Sequence, residues 1–384
     1  MLTLEALKGR VFDLDSHEMA PFANIKDLFG ERGVNMLNAS PNFRDPLVYN
    51  QNLPIPPGHK DTIEITPKSV WESKGGGAPG ALDFNRRPAV LDAMGIRRQL
   101  VFPGMATVAM IQAQGGLLNT TSEHERAEGW AAIDAHNEWA ASVTNSFPDR
   151  LRVVGIVAAT KPGATPEAIT KQAQQQIASG IRAIMIDSAL PPGGVSPGNP
   201  VLDPFYATLA EANVPLIIHP PSGLGYVDPA WVRADFMLGF HQTGQAAENF
   251  IRLLVMGGVF ERHPTLRFAA IELGSAWFGP MAEWLDVQIL GNVAEGFGRQ
   301  DIKLPMKPSE YLARNVRVTP YNFEPVERWI ERYPNLQDCY CFSTDYPHVE
   351  GRPWALNEFF GQVSPLGDKI VEKFFCSNAE LILP

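Results

Sequence analysis

Cysteine is scarce in this 384-residue chain: Cys339, Cys341 and Cys376 are the whole complement, an odd number with no C-x-x-C pair. That excludes a disulfide framework and a thiolate zinc cluster. Cys339 and Cys341 alternate along one apolar run and read as core thiols. Charge is also sparse, at 19% of residues, and positive charge is the scarcer sign: 32 Lys plus Arg against 42 Asp plus Glu give a formal net charge of −10. No stretch forms a basic patch, which argues against nucleic acid as a partner. Long apolar runs are missing too. The greasiest internal stretch, Leu253 to Phe260, is far too short to cross a bilayer, and the opening MLTLEALKGR places Glu5 where a signal peptide needs an apolar core. The expectation is a soluble, cytoplasmic protein with no membrane partner.

What is present is a folded, loop-rich composition, 45% hydrophobic with 33 Gly and 33 Pro, unlike disordered or fibrous chains. Eight short apolar runs recur with helix-like segments between them: Val11 to Leu14, Gln99 to Phe102, Leu151 to Val157, Ala183 to Ile186, Pro215 to Ile218, Leu266 to Ile271, Val316 to Thr319 and Tyr340 to Ser343. The intervening helices include Pro166 to Ser179, stopped by Gly180, Pro204 to Ala212, Gly244 to Met256 and Pro325 to Arg332. This alternation predicts an α/β fold, a (β/α)8 TIM barrel, in one domain over residues 1–384. One connection is far longer than the rest. Residues 19–98, between the first two strands, are rich in Pro, Gly and Asn and read as a lid-like insertion.

Barrel enzymes assemble their sites where the strands end at their carboxyl side. Polar residues collect there. The first run leads into Asp13, Asp15 and His17, the fifth into His219, the sixth into Glu272, and the eighth into Asp345 and His348. Asp15 and His17 are two residues apart and so face the same way on extended chain, able to reach one ion. Each residue alone carries a bland reading: Asp13 capping a turn, Glu272 bracing a neighbouring loop, His348 supporting Asp345 from behind the ligands. Together, imidazole and carboxylate are what a divalent metal takes up. The candidate ligands are Asp15, His17, His219, Asp345, Glu272 and His348. Zinc or manganese is the expected metal, with iron an alternative and one or two ions possible. His59, His124, His136 and His263 fall away from the strand ends and read as surface or packing residues.

Across nearly its whole length the sequence resembles the amidohydrolase-related proteins, amidohydrolase family 2. The resemblance is carried by DLDSHEMAP, RRPAVLDAMGIRRQLVFPG, the Asn137 region with FPDRLRVVGIV, GIRAIMI, VPLIIHPP, GGVFERHPTLRFAAIELGSAWFGPMAEWLD, FSTDYPH and SNAELIL, in this order. It implies that Asp15 and His17 are the first ligand pair, that His219 is the ligand after the fifth strand, and that Asp345 both touches metal and moves protons. The family contains metal-dependent hydrolases and non-oxidative aromatic decarboxylases.

One departure stands out. Where the decarboxylases carry a histidine after the sixth strand, this chain has Glu272. The first expectation is therefore a metal-dependent hydrolase acting on a carbonyl-type small organic substrate, with Asp345, Glu272 and His241 as the catalytic candidates. The alternatives are a non-oxidative decarboxylase of an aromatic or unsaturated acid and a non-haem dinuclear iron oxygenase on the same barrel, since the same ligands suit iron. Arg86 and Arg87, with paired guanidinium donors, are candidates for holding a substrate anion, and Trp71, Phe84 and Trp277 for an apolar pocket. A homodimer is the expected assembly.

Overall fold

The computed structural model describes residues 2–20, 22–39, 61–115, 121–222, 226, 236–290 and 304–384. Its parallel strands are β1 (Val11–Asp13), β2 (Ile96–Val101), β3 (Leu151–Val153), β4 (Gly155–Ile156), β5 (Ile184–Met185), β6 (Leu216–Ile218), β7 (Phe268–Ala270) and β8 (Val316–Val318). They form the sheets β1-β2-β3 and β4-β5-β6-β7-β8. The barrel is read from how the two sheets meet. Residues 151–156 pass from one to the other: Val154 N–H donates to Val101 O at 2.9 Å and Gly155 N–H to Ala183 O at 2.9 Å. On the far side the run 340–343 lies between β8 and β1, with Cys341 N–H on Val318 O at 3.0 Å and Leu14 N–H on Phe342 O at 3.2 Å.

Two expectations are corrected here. The third run is two short strands rather than one, because the chain changes partner at Val154. The eighth run carries a single bridge, Val318 to Tyr340, rather than a full strand, because Phe342 N–H turns away to Phe374 O at 3.0 Å.

Alternation along the strands sorts the core. Leu216, Ile218, Phe268, Ala270, Val316 and Val318 share one apolar cluster with Phe250, Leu254 and Phe260 of the helical layer. The intervening residues Met185, Ile217, Ala269, Ile271 and Cys341 gather in another. A strand buried on both faces needs no polar side, and the period of two then carries His219 to the same side as Ile217. Helix Pro166–Ser179 begins on Thr165, whose hydroxyl accepts from Ala168 N–H, and ends on left-handed Gly180. Helix Phe236–Met256 starts eight residues earlier than its apolar spacing indicates.

The described parts of the insertion pack into the body of the protein. Helix Ile25–Ala39 sets Phe29 edge-on against His136 and Trp139 of helix Glu123–Ser146, and Trp71, Ala78, Ala81 and Phe84 are buried. Residues 40–60 of the insertion, including His59, lie outside the described residues. Among the described residues no helix is long and apolar enough to cross a membrane.

Candidate metal centre

Six of the strand-end residues converge. Two groups of potential metal donors occur among the described residues, Asp15, His17, His219 and Glu272, and His17, Glu272, Asp345 and His348; within each, one atom per side chain lies within 4.8 Å of all the others. His219 Nε2 is 3.0 Å from Glu272 Oε2 and 3.5 Å from Asp15 Oδ1. His17 Nε2 is 3.2 Å from Asp345 Oδ1 and 3.4 Å from Asp15 Oδ1, and His348 Nδ1 is 2.9 Å from Asp345 Oδ1.

These approaches do not satisfy the atoms. Asp15 Oδ1, both ring nitrogens of His17, His219 Nε2, Asp345 Oδ1 and His348 Nδ1 are buried and make no hydrogen bond of proper geometry. Buried polar atoms are ordinarily paired. Orphans of this kind, all imidazole nitrogen or carboxylate oxygen and gathered in two overlapping groups, fit a divalent cation. The neighbouring cleft encloses about 300 Å³ out to its mouth, and its inner part has about 20 Å³ wide enough for water, roughly one molecule.

The rings are held in place. Phe102 stacks on His219 at 3.8 Å with 14° between planes, and His348 stacks on His17 at 3.8 Å and 18°. His219 Nδ1 lies 2.5 Å from Pro220 O. A carbonyl only accepts, so Nδ1 carries a hydrogen in either protonation state, and Nε2 is the nitrogen that would offer a lone pair to a metal once its own proton is lost. Asp345 and Glu272 occupy left-handed backbone, with φ of 52° and 57°. Such conformations cost about 1–3 kcal/mol each and collect at functional sites. The surroundings fix them: Asp345 N–H donates to Asp15 O at 2.9 Å, Glu272 N–H donates to Thr319 Oγ1 at 2.9 Å and Tyr321 O–H donates to Glu272 O at 2.7 Å.

Three buried groups underpin the ligand loop. Asp13, the strand residue before Asp15, accepts from Gln99 Nε2, Thr344 N–H and Thr344 Oγ1 at 2.7, 2.8 and 2.6 Å; burial pushes its carboxyl up to about 7 against those bonds. Glu18 accepts from Gly104 N–H at 2.9 Å, and from Met105 N–H and Ala20 N–H. Gly104 is obligatory there, since a Cβ would stand 1.9 Å from Glu18 O. Arg87 donates to His17 O at 2.6 Å, to Gly80 O and to Gln99 Oε1, with its guanidinium 4.7 Å from the Phe84 ring centre.

That last geometry corrects one expectation, for Arg87 is spent on the scaffold. Arg86 too is engaged, donating to Asp61 Oδ1, Asp61 O and Ile63 O. The structure does not bring the other substrate candidates to the cleft either. Trp71 is buried and stacks on Trp354, Phe84 lies edge-on to Trp139, and Trp277 donates to Leu273 O. Helix Phe236–Met256 carries His241, whose side chain lies outside the described residues. The cleft is walled instead by Thr319, Tyr321, Asn322, Glu350 and Gly351. Sequence reasoning passed over these residues. For Thr319, Tyr321 and Asn322 the signal was the TPYN segment that starts on the last residue of the seventh run, readable had amides and phenols been counted with the titratable groups. Lys74 closes the same side, donating to Gly351 O at 3.2 Å and Arg352 O at 3.3 Å.

The charges are balanced by protons when no cation is bound. Burial lowers His219, but the Asp15 and Glu272 carboxylates overcome it and raise the ring to about 9. Burial likewise opposes His348, and Asp345 with Glu272 and Glu350 raise it to about 10. Burial raises Asp345, yet His348 and His17 hold it well below the usual carboxylate range. Both raised histidines hold protons at pH 7, and a ligating imidazole must lose its own. Metal uptake is therefore expected to release protons, and apparent affinity to rise with pH up to about 9. Manganese titrations by calorimetry at several pH values, in buffers of different ionisation heat, check this; affinity independent of pH with no proton released would contradict it.

The amidohydrolase family model matches residues 85–384, and the chain belongs to that family. Its (β/α)8 barrel is shared with solved structures along almost the whole chain. An amidohydrolase, map2389c, from Mycobacterium avium subsp. paratuberculosis K-10 is 22% identical, covering 98% of this chain and 99% of that one with a TM-score of 0.69. The 5-carboxyvanillate decarboxylase from Novosphingobium aromaticivorans DSM 12444, complexed with manganese and 4-hydroxy-3-methoxy-5-nitrobenzoic acid, is 19% identical over 97% and 96%, at 0.59. The 2,6-dihydroxybenzoate decarboxylase from Rhizobium is 16% identical over 97% and 98%, at 0.59. Comparison with curated protein sequences finds no match.

Proposed function

We propose that the protein is a divalent-metal decarboxylase that removes CO2 from a small aromatic or unsaturated acid without an oxidant. The observation that carries this reading is the placing of His348. It stands on the solvent side of the donor cluster, 16% exposed, with Nδ1 2.9 Å from Asp345 Oδ1. Decarboxylation needs one proton delivered to carbon and consumes no water, and a partly exposed carboxylate–imidazole pair holds such a proton. The manganese-bound decarboxylase on the same barrel supports both the reaction class and the metal.

Asp15, His17, His219 and Glu272 would hold a divalent ion, which when bound would supply a Lewis acid for the substrate carboxylate. Asp345 and His348 keep the proton between Oδ1 and Nδ1. As the carbon–carbon bond breaks, its electron pair stays on the ring carbon and takes that proton, while CO2 leaves. His348 regains a proton from solvent. Phe102, flat against His219, holds that ring in its orientation.

Glu272 weighed toward hydrolysis when read against the family pattern. Its Oε2 lies 3.0 Å from His219 Nε2, among the ligand atoms, so it serves as a metal donor whichever bond is broken. A second reading draws on the sharing of His17 and Glu272 between the two donor groups, an arrangement suited to two irons and oxygen chemistry.

The experiment is anaerobic incubation of the manganese-loaded protein in D2O with a panel of aromatic and unsaturated acids. The expected result is CO2 release matched by a product with one deuterium at the vacated carbon. Acids recovered unchanged while esters or lactones are cleaved would return the reading to hydrolysis. Turnover only with iron, oxygen and reductant would favour the oxygenase.

A further inference from the structure

The cleft beside the candidate metal centre carries a donor without a partner. Asn322 is 9% exposed, lines the cleft beside Asp15, Glu272 and Asp345, and its Nδ2 makes no hydrogen bond. The adjoining polar groups are committed: Thr319 Oγ1 accepts from Glu272 N–H at 2.9 Å, and Tyr321 O–H donates to Glu272 O at 2.7 Å. The backbone of Asn322 is itself fixed, its carbonyl accepting from Gln362 Nε2 at 3.2 Å. A buried amide left unpaired costs about 1–3 kcal/mol, and its place in a cleft beside a ligand cluster gives that group a use.

We propose that Asn322 is a specificity-determining residue, its Nδ2 donating to a neutral oxygen acceptor, a hydroxyl or carbonyl, carried by the substrate away from the reacting carboxylate. Charge decides the class of acceptor. Asp15, Glu272, Asp345 and Glu350 all line this cleft, and a divalent ion together with Lys74 on the same side offsets three of those four charges, leaving no surplus for a second carboxylate. A second carboxylate beside Asn322 would meet repulsion, whereas a neutral oxygen would not. The inference rests on the reading above only in that the metal centre holds an acid's carboxylate; it is independent of which bond is then broken.

Binding tests it without turnover. Benzoate, its three monohydroxy isomers and isophthalate are titrated into the manganese-loaded wild type and the variants Asn322→Leu and Asn322→Asp. In the wild type at least one hydroxy isomer is expected to bind about tenfold more tightly than benzoate, and isophthalate no more tightly than benzoate. Asn322→Leu should abolish the hydroxyl preference while leaving manganese content and benzoate affinity within about twofold. Asn322→Asp should weaken benzoate and isophthalate alike, through added charge.

The proposal is overturned if no hydroxy isomer outbinds benzoate in the wild type, if the preference survives in Asn322→Leu, or if isophthalate is the preferred ligand. Loss of manganese from both variants would also overturn it, by making Asn322 a support of the metal centre. Failure of the deuterium experiment with the hydroxyl preference intact would reject decarboxylation and leave this assignment standing.

Discussion

Replacing His219 by alanine is expected to weaken manganese binding more than about 100-fold, since loss of groups that merely orient a ligand already costs 10–100-fold, and to abolish turnover. His219 is the ligand candidate whose presentation is most completely determined. Phe102 lies flat on the ring, Pro220 O fixes Nδ1 as the hydrogen-bearing nitrogen, and Nε2 is left buried and unpaired within 3.5 Å of two carboxylates. Removing the ring takes away one donor while the Asp15 and Glu272 carboxylates beside it remain to attract a cation, so the lost affinity measures the imidazole itself. Calorimetric manganese titration of folded His219→Ala reads the effect. Wild-type affinity in that variant would reject the assignment of this cluster.

Asp345→Asn is expected to behave differently. Metal content should stay close to wild type, because Asp15, His17, His219 and Glu272 form a complete donor group without Asp345. Turnover should fall by about 10²–10⁴, the usual contribution of a positioned acid or base. The substitution suits the site structurally: asparagine tolerates left-handed backbone as well as aspartate does, so φ of 52° is kept. The amide cannot share a proton with His348 Nδ1, and the pH dependence of kcat that comes from the pair should vanish. Steady-state kinetics across pH beside metal analysis give both readouts. A variant with wild-type kcat and an unchanged pH profile would remove Asp345 from the proton path.

The six candidate donors that the fold brings together were legible in the sequence for a simple physical reason. A parallel strand covered on both faces is apolar throughout, so a carboxylate or imidazole at its carboxyl end stands out. Asp15, His17, His219, Glu272, Asp345 and His348 all do. The boundaries of the third and eighth runs were less legible, because pairing there depends on neighbours: Val154 changes partner, and Phe342 bonds to Phe374. Nothing local in either run signals this.

The scaffold around the ligands was hidden for the opposite reason. Arg87 and Glu18 look like surface charges by composition, yet both are buried because backbone groups far away in sequence satisfy them. Arg86 and the aromatics Trp71, Phe84 and Trp277 were singled out by residue type, and residue type alone does not separate a substrate contact from packing. Asn322 went unnoticed because an amide neither titrates nor interrupts an apolar pattern. Its distinguishing feature, a buried donor without an acceptor, exists only in three dimensions.

Whether these six side chains hold metal is read by elemental analysis of the protein purified without chelator. The account predicts about one divalent ion per chain, or two if both donor groups fill, removed by chelation and restored by added manganese, as expected of a site whose ligands are brought together by folding. A folded protein that holds no metal as isolated, and takes up none from excess manganese, zinc or iron, would contradict it.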